Sequence, residues 1–109
     1  MSKIKVYLDD ERQAPEGWVR TRWPKETIKL LQSGNVEELS LDHDLGNDKK
    51  GTGYDVLFWI EYAVQKENFQ PPIIHIHTAN PAARERMELA KQTILRLVSE
   101  AKHEEKGTS

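Results

Sequence analysis

Three short stretches rich in aliphatic and β-branched residues each stop at a polar cluster. Ile4-Lys5-Val6-Tyr7-Leu8 runs into Asp9-Asp10-Glu11-Arg12, Val36 to Leu41 runs into Asp42-His43-Asp44, and Ile73-Ile74-His75-Ile76-His77 runs into Thr78-Ala79-Asn80. In an open α/β sheet ligands bind beyond the carboxyl ends of the strands, where strand order reverses, so three polar strand ends on one rim predict a single site. Four or five carboxylates gathered there repel one another unless a divalent cation or shifted pKa values relieve them.

The segments between these strands supply helices. Pro24 opens one at about Lys25, with Ile28, Leu30 and Leu31 as its buried stripe and Gly34-Asn35 as its stop. A second is expected from Tyr54 to Lys66, where Val56, Leu57, Trp59, Ile60, Ala63 and Val64 form a wide apolar face. The third begins at Asn80-Pro81, an N-cap and first-turn pair, and carries Ala83, Met87, Ala90, Ile94, Leu97 and Ala101 as a narrow seam. Trp18 to Arg22 alternates as an edge strand does. The near-continuous apolar run of the last strand predicts burial on both of its faces. Strands joined by helices predict a small, mostly parallel four-stranded α/β sheet with helices on both faces.

At 109 residues the expectation is one domain spanning 1–109, with 102–109 a frayed polar tail. A net charge of −2 leaves no broad basic surface for duplex DNA, although a nucleotide or a strand end remains open as a ligand. The chain has no cysteine, so disulfides and thiolate zinc sites are excluded. No signal-peptide core and no apolar run of about 20 residues is present, so a cytoplasmic protein without a membrane partner is expected. The seam of the last helix packs on the sheet or on a partner helix, and a homodimer through that helix is one outcome.

Each candidate residue has a chemical and a bland reading. The carboxylates offer hard oxygens suited to Mg²⁺ or Mn²⁺, or else form a solvated acidic loop. Asp44 adds a ligand or caps the following loop. His43, between two carboxylates, is favoured in its charged form and is a candidate acid, or it turns to solvent. His77 at the strand tip is a candidate general acid, while His75, one pleat deeper, is expected to be a hydrogen-bonded core residue. Asn80 caps the last helix, and the free N–H groups there with Arg84 one turn in make an anion site. Arg12 clamps a phosphate or balances its acidic neighbours. Trp59 belongs in the core; Trp18 and Trp23 flank the edge strand, as packing residues or as a platform for a base.

The motifs Asp9-Asp10-Glu11-Arg12 with Pro15, Ser40-Leu41-Asp42-His43-Asp44-Leu45-Gly46, Gly51-Thr52-Gly53-Tyr54-Asp55 and His77-Thr78-Ala79-Asn80-Pro81 resemble the response-regulator receiver domain, and more closely its cyclic-phosphate processing relatives. The resemblance implies a receiver-like (flavodoxin-like) fold. It also implies a metal held by Asp9, Asp10 and Asp42, with Asp44 as a further candidate, and phosphate contacts from Thr78 beside Asn80 and Arg84. Two departures stand out. No fifth strand follows the last helix, so the lysine that pairs with an acyl phosphate in signalling receivers is missing. Only about nine residues separate the first two strands, so the second lies parallel after an extended crossing or is antiparallel; the extended crossing is preferred.

The activity so implied is metal-dependent hydrolysis of a cyclic phosphate on a nucleotide or an RNA end, a cyclic phosphodiesterase with His43, His77 and Arg12 in catalytic roles. A receiver-type binding or signalling module, sensing a phosphorylated ligand or phosphorylated at Asp42, is the alternative. A structural adaptor is the third.

Overall fold

Alternation in the first strand decides the layering of the molecule. In Ile4–Leu8 (β1), Val6 and Leu8 are fully buried on one face, while Lys5 and Tyr7 project from the other. The computed structural model describes residues 3–42 and 51–107. After β1 it forms Trp18–Thr21 (β2), Pro24–Gln32 (α1), Val36–Leu41 (β3), Gly53–Glu67 (α2), Ile73–Ile76 (β4) and Pro81–Gly107 (α3).

The sheet has the order β2-β1-β3-β4 and every pairing is parallel. Val6 pairs with Val19 on one side and Leu39 on the other, and Leu39 pairs with Ile74, so one apolar row crosses the sheet. The chain leaves β1 for β2 on one flank and crosses to β3 on the other, which puts the reversal of strand order between β1 and β3. Residues 9–17 make the β1 to β2 connection without a helix, as an extended crossing. The Pro15 carbonyl accepts from the Trp18 N–H at 3.1 Å, and Gly17, with φ of 87°, supplies the left-handed residue that closes this turn.

All three helices pack on the Val6–Leu8–Leu39–Leu41–Ile74 face. Leu31 of α1, Val56, Leu57, Ile60 and Val64 of α2, and Met87, Ala90 and Ile94 of α3 close one continuous core there. The expectation of helices on both faces is corrected: among the described residues none of the helices covers the face carrying Lys5, Tyr7, Trp18, Glu38 and His75. The reason lies in the β1 to β2 connection, which is too short to hold a helix. The same cause corrects β4, which is buried on one face only. Ile74 is 3% exposed and Ile73 is 62% exposed, because β4 is an edge strand with an uncovered side.

Local chemistry sets the helix starts that border the site. The Thr52 hydroxyl accepts from the Tyr54 N–H at 3.2 Å while the Asp55 carboxylate accepts from the Thr52 N–H at 2.8 Å, a reciprocal cap on α2. Asn80 Oδ1 accepts from the Ala83 N–H at 3.1 Å and caps α3, as its sequence predicts. No described helix is long and apolar enough to cross a membrane.

Candidate metal and phosphate site

The parallel ladder continues one residue past each strand. Asp9 N–H donates to Thr21 O at 3.0 Å, Asp42 N–H to Leu8 O at 3.1 Å and His77 N–H to Leu41 O at 2.9 Å. Asp9, Asp42 and His77 are thereby fixed at one level, and alternation turns all three to the uncovered face. One ligand atom from each lies within 4.8 Å of the others.

Asp9 is 1% exposed. Its Oδ1 accepts from the N–H groups of Glu11 and Arg12, both at 2.8 Å, and its Oδ2 lies 3.1 Å from His77 Nε2. Burial alone raises the carboxyl pKa, but the bonds from Arg12, Glu11 and His77 outweigh it and hold Asp9 below its ordinary value. For His77, burial lowers the pKa more than Asp9 and Asp42 raise it, so the ring favours its neutral form. A neutral ring has one N–H. A carboxylate can only accept, so that N–H is Nε2–H toward Asp9, and Nδ1 accepts from the Ser40 hydroxyl at 2.7 Å. Tyr7 stacks on the imidazole, with centroids 4.2 Å apart and planes 6° off parallel.

Three guanidinium groups are each tied to a main-chain carbonyl beyond a strand end. Arg12 Nη1 donates to His77 O at 3.2 Å, Arg20 Nε to Asp9 O at 3.0 Å, and Arg84 Nη2 to Thr78 O at 3.3 Å. Five N–H donors per guanidinium leave most of each group available after one bond. Thr78 is 2% exposed, and its hydroxyl accepts from the Asn80 N–H at 3.2 Å, which leaves its own O–H to donate.

The structure thus brings together Asp9, Asp42 and His77, with Arg12 bonded to the His77 carbonyl, and links Thr78, Asn80 and Arg84 to one another at the following helix start. Asp10 follows Asp9 but is not one of the clustered ligands among the described residues. His43 and Asp44 lie outside the described residues. His75 is corrected: rather than a core histidine it is 48% exposed on the uncovered face, with Nε2 3.0 Å from Glu38 Oε1. Trp59 is half-buried against Phe69, Trp23 borders the core, and Trp18 lies on the uncovered face. Three contributors had been passed over in the sequence: Ser40, Tyr7 and Arg20. Their signal was alternation, since each sits two residues from a site residue or pairs across the sheet with one that does.

The donor set fits a divalent cation. Two carboxylates and an imidazole offer one donor atom each within 4.8 Å of one another. An imidazole beside two carboxylates suits Mn²⁺ better than Mg²⁺, which prefers oxygen alone.

Residues 4–93 match the family model of the cyclic-phosphate processing receiver domain. No curated protein and no solved structure matches the chain.

Proposed function

The chain belongs to the cyclic-phosphate processing receiver family, and on that premise we propose that it hydrolyses a cyclic phosphodiester at the carboxyl rim of its sheet. The observation that carries this reading is the convergence of Asp9, Asp42 and His77 within 4.8 Å, beside three anchored arginines. A bound Mg²⁺ or Mn²⁺ supplies Lewis acidity and a more acidic water. Asp9 and Asp42 hold it with their carboxylates. His77, kept neutral by burial, would be the third ligand through Nε2, its Nδ1–H then donating to Ser40 Oγ. We favour this role over the acid role read from the sequence, since burial lowers the His77 pKa and with it the protonated fraction at neutral pH.

Arg12 and Arg84 bind the non-bridging oxygens, and the amino end of α3 with Thr78 adds neutral donors. In the reaction a water oxygen bonds to phosphorus, one ring P–O bond breaks, and the released alkoxide takes a proton. His43 and Asp44 are the proposed proton donor and additional ligand from the segment that follows Asp42.

The test is incubation with Mg²⁺ or Mn²⁺ and a panel of 2′,3′- and 3′,5′-cyclic nucleotides and cyclic-phosphate RNA ends, followed by chromatography. Ring opening that disappears in Asp9→Asn and Asp42→Asn supports the reading. No turnover across the panel, with labelling of Asp42 by a small phosphodonor, would replace it with the signalling alternative.

A further inference from the structure

We propose that the uncovered face of the sheet binds the nucleotides preceding the terminal phosphate, so that the ligand is a single-stranded RNA end rather than a free cyclic mononucleotide. The inference rests on the cyclic-phosphate reading and adds its substrate class. The face is aromatic, with the cationic side chains Lys5 and Arg20 beside its rings. Trp18 meets Tyr7 edge-on at 6.3 Å and His75 at 6.3 Å, and Lys5 Nζ lies 5.9 Å from the Trp18 ring centre. The lone acid of the group, Glu38, is neutralised by Lys5 at 3.3 Å and approached by His75 at 3.0 Å. The remaining positive charge is on Arg20, between the rings and the site.

The patch is continuous with the site. Tyr7 touches Trp18 on one side and stacks on His77 on the other, and Arg20 holds the Asp9 carbonyl by Nε alone. A nucleic-acid strand with its last phosphate between Arg12 and Arg84 therefore meets Arg20 with its preceding phosphate and Trp18 with a base. Aromatic rings interleaved with cations on an open sheet face suit single-stranded nucleic acid, because every base has a face to stack and every residue a phosphate. A 2′,3′-cyclic phosphate needs a ribose 2′-hydroxyl, which makes the strand RNA. A 3′,5′-cyclic mononucleotide has no preceding nucleotide and leaves the patch unused.

Calorimetric titration with adenosine 3′-phosphate and with a trinucleotide ending in the same 3′-phosphate tests this without turnover. The expected result is a trinucleotide affinity about tenfold or more higher, the worth of one base stacked on an aromatic ring. That ratio falls to within about twofold in Trp18→Leu, is kept in Trp18→Phe, and shrinks in Lys5→Gln, whose side chain is 41% exposed and safe for the fold. A ratio near one in the native chain, or one unchanged in Trp18→Leu, overturns the proposal. A ratio that holds while no cyclic phosphate is opened leaves the RNA surface standing and removes the hydrolytic reading instead. Equal affinities with rapid opening of cyclic mononucleotides do the reverse.

Discussion

Gly53 lies against Asp42: a Cβ on Gly53 would sit 1.9 Å from the Asp42 carbonyl oxygen. The first turn of α2 reaches the strand end only because that position has no side chain. Gly53→Ala forces backbone against backbone, so a loss above about 3 kcal/mol is expected, more than ordinary overpacking. Gly51 has a φ of 97°, strained for any side chain, and a Cβ there meets Asp55 Oδ2 at 2.6 Å, a side-chain atom that can give way at the cost of its cap bond to Thr52 N–H. Thermal melting should therefore rank Gly53→Ala well below Gly51→Ala.

Thr21 and Thr27 share a buried hydroxyl bond of 2.7 Å that ties β2 to α1. Their partners are unequal, since Thr27 Oγ1 also donates to Trp23 O at 3.2 Å. Thr27→Val strands the Thr21 hydroxyl, at a cost of about 1–3 kcal/mol. Thr21→Val leaves Thr27 its carbonyl partner and costs less. Chemical denaturation of both variants and of the double variant checks the order; the double variant should be more stable than Thr27→Val.

Acid should weaken the metal-free fold in two steps. His77 has a folded pKa below its ordinary 6.5, so the unfolded chain takes up that proton first and stability falls as pH drops below about 6.5. Asp9 has a folded pKa below 3.8; its contribution is present above 3.8 and is lost as pH falls through the folded value. Melting temperature against pH, with EDTA present, reads both. In His77→Gln the first decline disappears and the second persists.

Ser40 bonds only to the far nitrogen of His77, yet the proposed metal role depends on it. Ser40→Ala should weaken Mn²⁺ binding about tenfold, as the loss of an orienting partner typically does. Mg²⁺, which relies less on the imidazole, should be affected less. Titration followed by the thermal shift separates the two ions, and an equal effect on both would remove His77 from the ligand set.

The strand ends were legible because polarity changes abruptly at Asp9, Asp42 and Thr78, and the Asn80-Pro81 cap is a local signal. Burial of β4 was not. Ile73, Ile74 and Ile76 have the composition of a central strand, and nothing local says that among the described residues no further strand and no covering helix flanks them. The His75 error has the same origin: whether a side chain one pleat below the rim is covered depends on which helices exist elsewhere. Site chemistry was partly legible in the same way. Ser40-x-Asp42, Tyr7-x-Asp9 and His75-x-His77 repeat one alternation, but the neutral state of His77 emerges only from its burial, which no spacing reveals.

The bonded side chains of the site are far apart along the chain: Asp9 and His77 are 68 residues apart, and Ser40 and His77 are 37 apart. During synthesis β1 and β3 can pair long before β4 exists, and at that stage the aspartates and Tyr7 are present without the imidazole. Assembly of the centre thus requires the docking of β4. On the proposed metal reading, tight cation capture would certify that the whole sheet is complete, since a chain halted before residue 77 lacks the third ligand.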